Sequence, residues 1–479
     1  MFTPVRSERN MSFFEQESIA DAGHGDTTSM SDYLTQYFRC PEQYVRLASN
    51  GPLSGPIGYF RFGESVCYGC CTGNSPALSP VHPLCDALPD SRLNDGTVSL
   101  SFDPDEVVGN LTQEKYSHAN DGGPVKLSSP ANRIYYLIRP ALPVAARKHL
   151  QRIRLKGWEK IPFPTWPVDR TVDTLLSDLL LLAMKACRTK RIPFIWFWPK
   201  GVASAAIMTH DVETPLGRDF SSTLMDIDDS FGIKSSFQVV PEERYEVPSY
   251  YLDSITHRGF EVAVQDLNHD GRLYLNREEF LKRAVRINEY GRQWGAEGFR
   301  AAILYRRQDW FDDLDFSYDM SVPNVAHLDP QRGGCCTVMP YFVGKMLELP
   351  VTTTQDYTLF HILKSYSLDL WKRQIDLIME RNGLVSFIIH PDYITTPREL
   401  ETYKALLGYL AELRKSRNLW IATPREVSRW WRKRSQMRLV EFRGGWHIEG
   451  PGSEDAQIAY ATEENGRIKF AVEQVEMLR

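Results

Sequence analysis

From residue 201 onward the chain alternates between two kinds of pattern. Val202 to Met208 is a run of small and apolar residues that turns polar abruptly at Thr209. Comparable apolar runs lie at Ser235–Val240, Gly259–Val264, Gly298–Arg300, Val385–Ile389 and Leu419–Ala422. Between them stand segments with apolar residues at helical spacing: Leu224–Phe231, Tyr250–His257, Arg277–Trp294, Trp371–Arg381, Leu400–Leu413 and Pro424–Arg434. Strands that are apolar on both faces, separated by amphipathic helices, predict a parallel sheet with helices packed outside it. Residues 201–434 therefore read as one α/β domain.

The flanks differ. Residues 1–30 are rich in Ser, Asp, Glu and Gly and read as a disordered tail. In the N-terminal region, residues 31–135, short apolar runs such as Gly58–Gly63 and Val98–Phe102 are broken by Gly, Pro and Asn, which favours short strands over helices. Asn120–Pro124 reads as a turn or linker and Arg133–Ile138 as a strand. Residues 136–200 form a connector with a basic helix at Ala145–Leu155 and an extended stretch at Pro162–Pro167. An amphipathic helix follows, capped by Asp169 or Thr171 and running to about Cys187. In residues 435–479 the pattern becomes two-periodic, a β extension with a strand pair turning at Asn465-Gly466.

At 479 residues the chain is long enough for several domains, and its net charge of −5 calls for neither nucleic acid nor an anionic membrane as partner. The first residues lack an apolar h-region, and the greasiest helical patch, Leu175–Met184, falls short of a membrane span. Both features predict a cytoplasmic protein. Five of the eight cysteines fall between Cys40 and Cys85. Cys67, Cys70, Cys71, His82 and Cys85 can be drawn as a zinc site, but the paired spacing is incomplete and free thiols are the plainer reading.

Candidate chemistry gathers where apolar runs end. Asp211 and Glu213 follow the run at Val202–Met208 and, two apart on an extended chain, share one face. They suit a base beside a metal ligand, or a helix N-cap ahead of Pro215. Gln265 and His269 close the run at Gly259–Val264, at the edge where an α/β sheet collects ligands. Asp266, Asn268, Asp270 and Gly271 also mimic a calcium loop, although Arg277 stands where its bidentate Glu belongs. His390 ends the run at Val385–Ile389.

With these stretches in order, residues 201–434 resemble the polysaccharide deacetylase (NodB-homology) family of carbohydrate esterases. The resemblance implies a distorted (β/α) barrel of about seven strands. It also implies a divalent metal, zinc above all, used to remove an acyl group from an N-acylated sugar or polysaccharide. Thr209-His210-Asp211-Val212-Glu213 is similar to the first motif, making Asp211 the general base and Glu213 a metal ligand. Gln265-Asp266-Leu267-Asn268-His269 falls on the second, with Gln265 and His269 as ligands, and Arg300-Ala301-Ala302 on the third, with Arg300 orienting the base. Tyr318-Asp319-Met320-Ser321 looks like the fourth, placing Asp319 among the catalytic residues, and Phe387-Ile388-Ile389-His390 like the fifth, with His390 as general acid. Tyr305 and Trp310 are candidates to stack on a sugar, or to pack in the core.

Two departures stand out. Gln265 replaces a histidine ligand and Ala302 a proline. An amide oxygen is a weaker zinc donor than imidazole. The alternatives left open are a metal-free member acting on another C–N bond and a sugar-binding pseudoenzyme.

Overall fold

The run that opens the α/β region becomes the central strand of the sheet. The computed structural model describes residues 32–117, apart from 50–52, 54 and 74, and residues 155–473. The N-terminal tail, the linker at Asn120–Pro124, the strand expected at Arg133–Ile138 and the basic helix from Ala145 lie outside the described residues, except that Leu155 is helical. Strand β1, Ser204–Val212, is buried at every position. The strands that follow are β2 (Ser236–Val239), β3 (Glu261–Gln265), β4 (Gly298–Arg300), β5 (Tyr318–Asp319), β6 (Tyr341–Val343), β7 (Met346–Glu348), β8 (Leu384–Ile389) and β9 (Leu419–Ala422). They form one sheet in the order β6-β7-β5-β4-β3-β2-β1-β8, with β9 beside the first half of β1. All pair in parallel except the hairpin β6–β7.

The curled sheet closes between β7 and β8 through an extended segment rather than a regular strand. Val351 N donates to Val322 O, Thr353 N to Ser386 O, and Thr352 Oγ1 to Leu384 O at 2.7 Å. The expected distorted barrel of about seven strands is therefore present. Outside it pack α1 (Pro215–Ser230), α2 (Ser249–His257), α3 (Arg277–Trp294), α4 (Asp369–Met379), α5 (Pro397–Ser416) and α6 (Pro424–Gln436). Several match the helices expected from apolar spacing to within a turn, and α1 starts earlier because Thr214 caps it, accepting from Gly217 N, with Pro215 in the first turn.

Alternation along each strand decides what faces the barrel interior. Met208, Val212, Phe237, Val239, Val262, Phe387 and Ile389 point outward into a core shared with Leu224, Ile255, Tyr403 and Leu407 of the helices. The other parity points inward: Asp211 is registered with Gln238, Gln238 with Ala263, and Gln265 with Arg300. Lower in the barrel Tyr318 donates from its hydroxyl to Glu261, and the Tyr318 ring lies 2.2 Å from where a Cβ on Gly298 would stand. Only glycine fits there.

The N-terminal region is less strand-rich than its pattern predicts. Strands at Arg46–Ser49, Ile57–Phe62, Ser65–Cys70, Arg92–Asn94 and Thr97–Leu100 are joined by helices at Asp32–Phe38 and Pro104–Thr112. The second helix carries a start signal that apolar spacing alone did not weigh: Asp103 caps it through Asp105 N, with Pro104 in its first turn. The helix Thr171–Ala186 forms as expected, with Asp169 Oδ1 accepting Thr171 N at 2.9 Å just before it. The C-terminal residues form two hairpins, Arg438–Phe442 with Gly445–Glu449 and Ile458–Glu464 with Arg467–Val472. No described helix is long and apolar enough to cross a membrane.

The N-terminal region is bonded into the barrel. Arg306, 1% exposed, pairs with Glu114 through both Nε (2.6 Å) and Nη2, and donates from Nη1 to Leu304 O at 2.8 Å. Glu114 also accepts Gly334 N at 2.6 Å. Removing one partner of such a pair strands a buried charge. Glu114→Ala should therefore cost about 3–5 kcal/mol, measured by denaturant unfolding of the full chain. A loss below about 1 kcal/mol, the range of an exposed pair, would contradict this coupling.

Candidate active site

At the carboxyl ends of β1, β3 and β8 the inward-facing groups converge on one opening. Asp211 ends β1 on the inner face, 4% exposed. Its Oδ1 accepts from Arg300 Nη1 at 2.5 Å and its Oδ2 from Gln265 Nε2 at 3.1 Å. Arg300 has no solvent exposure and is held on both sides, Nη1 to Thr209 Oγ1 at 2.7 Å and Nε to Met320 O at 3.0 Å.

Glu213 sits among the two histidines. Its Oε1 lies 2.7 Å from His269 Nε2 and 3.5 Å from His390 Nε2, and accepts from Gln265 Nε2 at 3.2 Å. Burial alone would raise its carboxyl, but the charges of His269 and His390 outweigh burial and hold it well below the usual carboxylate range. His269 reaches this place through a tight loop in which Asp266 and His269 both take left-handed backbone, at φ 52° and 55°. Such strain in non-glycine residues is a feature of functional loops.

His390 has a partner that spacing did not suggest. Asp356, fully buried, accepts from His390 N through Oδ2 at 2.7 Å and meets Nδ1 through Oδ1 at 2.7 Å. Burial would lower the imidazole, but Asp356 and then Glu213 overcome it and raise His390 well above 6.5. His269 is raised as well: burial opposes, and the Glu213 charge prevails. Tyr393, half-buried, places its ring 4.6 Å from that of His390 and packs also against Tyr357 and His361.

The structure thus brings together Asp211, Glu213, Gln265, His269, Arg300 and His390. It does not bring in Asp319, Tyr305 or Trp310. Asp319 is registered with Phe299 and Glu348, on the opposite parity from Tyr318, and bonds Ser321 rather than Arg300 or Asp211. The carboxylate that faces a catalytic candidate from this part of the chain is Asp356. Tyr305 is 3% exposed in the core beside Leu273 and Phe311. Trp310 packs on Phe280 at 5.1 Å and lies under Arg307 at 4.6 Å. Both rings serve packing. The calcium-loop mimicry also has a structural answer, because Arg283 donates to Asn268 Oδ1 at 3.2 Å and to both oxygens of Asp270 at 2.7 and 3.0 Å. A guanidinium holds those oxygens together. The eight cysteines are free, and among the described residues the group suited to a metal is Asp211, Glu213 and His390, with no cysteine in it.

That group offers three donor atoms within 4.8 Å of one another, with His269 Nε2 close by. Gln265 Oε1 is buried without a donor, while Nε2 faces both carboxylates. A half-turn of the amide would point that oxygen at two carboxylates, an arrangement stable only with a cation between them. Two carboxylates, imidazole and an amide oxygen fit a divalent ion, more loosely than an acid with two histidines.

The sequence matches no family model and no curated protein. Among solved structures the chain is similar to a Mycobacterium smegmatis protein assigned to the polysaccharide deacetylases, at 18% identity over 50% of this chain and 93% of that one, TM-score 0.39. In fold, this half of the chain resembles solved polysaccharide deacetylases. Puue allantoinase matches at 14% identity over 49% and 92% of the two chains, TM-score 0.38. A family 4 acetyl xylan esterase from Clostridium thermocellum, solved with a cobalt ion, matches at 13% over 47% and 91%, TM-score 0.30. At these identities the likeness concerns the fold, and the chemistry is argued from the side chains.

The Asp356 contact yields a direct expectation. In the wild type the His390 ring should titrate above 6.5, the ordinary imidazole value, because its charged form is bonded on both nitrogens. Asp356→Asn should move that midpoint down, read by NMR of the ring protons. An unchanged midpoint would show that Asp356 does not set the charge of His390.

Proposed function

We propose that the protein is a hydrolase that removes an acyl group, acetyl first of all, from an N-acylated sugar or polysaccharide. One observation carries this reading: the Asp211 carboxyl and the His390 imidazole lie in one cluster with Glu213, within 4.8 Å, and each is held from behind by a buried group of opposite charge. Arg300 holds Asp211 at 2.5 Å and Asp356 holds His390 at 2.7 Å. Such a pair suits hydrolysis of an amide, in which one group takes a proton from water and the other gives one to the leaving nitrogen.

In this reading Asp211 accepts the proton of the attacking water. Arg300 occupies Oδ1, so the carboxylate keeps one orientation, and Oδ2, which the Gln265 amide meets at 3.1 Å, takes the proton once that amide is turned away. His390, kept protonated by Asp356 and Glu213, donates from Nε2 to the departing amine, and each transfer contributes roughly 10²–10⁴ in rate. Glu213, His269 and the Gln265 amide oxygen would hold a divalent ion, zinc by the family resemblance, which when bound would supply Lewis acidity to the substrate carbonyl.

A second reading follows from Gln265. With Nε2 turned to the carboxylates, Asp211 is balanced by Arg300, Glu213 by His269 and Asp356 by His390, so the charges close without an ion. The same base and acid would then act on a C–N bond with no metal. Acetate release from an N-acetylglucosamine tetramer, with zinc supplied and with a chelator, distinguishes the two readings. Release that survives the chelator supports the second.

Asp211→Asn leaves Arg300 without its counter-charge and should lower stability; assayed where circular dichroism shows it folded, it should lower acetate release at least a hundredfold, the minimum for a lost proton transfer. Retention of more than about a tenth of the wild-type rate would remove Asp211 from the role of base. Gln265→His should tighten zinc binding in a calorimetric titration, since imidazole is the better donor. Equal affinities in the two proteins would mean that residue 265 does not contribute a ligand.

A further inference from the structure

Arg300 holds Asp211, and what holds Arg300 lies in residues that never meet the opening. The side chains of Asp319 and Glu348 are registered opposite one another on β5 and β7, both with no solvent exposure. Asp319 uses both oxygens on Ser321, Oδ2 accepting its N–H at 2.7 Å and Oδ1 its hydroxyl at 2.8 Å. Ser321 Oγ in turn accepts Ala301 N at 2.8 Å, and Met320 O, between the two, accepts Arg300 Nε at 3.0 Å. Glu348 Oε1 accepts Val322 N at 3.0 Å.

The side-chain contacts of the turn at 319–322 therefore lead either to the carboxyl pair or to Arg300 and the residue after it, while its backbone also bonds Phe299, Leu349 and Val351. One atom is left over. Glu348 Oε2 is buried and meets no N–H or hydroxyl donor, and the carboxyl registered opposite it is that of Asp319. Two carboxyl groups with no donor between them can bond only through a proton that one of them carries. Burial, the largest cause, raises both, and the Asp319 charge takes Glu348 well above the ordinary range.

We propose that the Asp319–Glu348 carboxyl pair is a positioning device for Arg300, clamping the turn whose Met320 carbonyl and Ser321 hydroxyl hold the guanidinium and Ala301 in place against Asp211. The proposal deepens the reading of Asp211 as base and rests on it for its catalytic consequence. Neither carboxyl touches a reacting atom. Asp319, which the family resemblance implies among the catalytic residues, acts through Arg300.

Glu348→Gln and Glu348→Leu in the full chain test it, with two readouts: the crystal structure of each variant and steady-state acetate release from an N-acetylglucosamine tetramer with zinc supplied. Gln keeps an oxygen for Val322 N and offers Asp319 an N–H in place of the shared proton. Glu348→Gln should therefore keep the Arg300 Nη1–Asp211 contact, and its kcat should stay within about threefold of wild type. Leu removes both bonds at similar volume. In Glu348→Leu the guanidinium should leave Asp211 and kcat should fall at least about tenfold, with KM little changed. Glu348→Leu retaining the contact, or Glu348→Gln losing it, would overturn the clamp, and the second outcome decides even if the leucine variant fails to fold. If the wild type releases no acetate from this probe, the acyl-transfer reading falls, while the crystal structures still decide whether the pair positions Arg300.

Discussion

A fully buried guanidinium at the carboxyl end of a barrel is the constraint around which this molecule is arranged. Taking Arg300 out of water costs several kcal/mol, and the cost is met only if its charge is paired and its N–H groups are bonded. Asp211, Thr209 and Met320 meet that demand in part, from β1 and from the end of β5, with Nη2 buried and without an acceptor, and the ion pair ties three parts of the barrel together. The same bonds leave Asp211 with one orientation, its second oxygen facing the Gln265 amide. Packing and chemistry thus impose the same requirement on these residues.

Charge balance then spreads outward. Glu213 is held ionised by His269 and His390. Asp356 holds His390 protonated from the side away from the opening. Acid and base are kept apart because each faces its own counter-ion, which is how neighbouring titratable groups come to play opposite roles. Gln265 is the joint of this arrangement. Its carboxamide can donate to the two carboxylates or, reversed, face a cation between them. In the proposed function, that one side chain separates the metal-dependent from the metal-free reading.

Much of this was legible in the sequence where the signal is local. The end of β1 shows itself as an apolar run broken at Thr209, and the spacing of Asp211 and Glu213 fixes a common face. His390 likewise ends an almost wholly apolar run. Asp356 gave no such signal: it follows a polar stretch, Thr352-Thr353-Thr354-Gln355, and meets His390 only because that stretch closes the barrel beside β8. Asp319 entered through the family resemblance, and the structure places it on the parity opposite Tyr318, bonded to Ser321; a strand as short as Tyr318–Asp319 shows no alternation from which its face could be read. Tyr305 and Trp310 illustrate the weakness of aromatic candidates, since rings near a motif pack into cores more often than they line an opening. The helix at Pro104–Thr112 is different, because its Asp-Pro start was present and was outvoted by the surrounding turn residues.

The central claim is that hydrolysis depends on His390 being protonated by virtue of Asp356 and Glu213. The pH dependence of kcat for acetate release from an N-acetylglucosamine oligomer tests it most directly. His390 must carry its proton to donate it, so the rate should hold above 6.5 and fall only as pH rises through the raised value of the imidazole. An alkaline limb at the ordinary imidazole value near 6.5 would contradict the account, as would a rate with no alkaline limb at all.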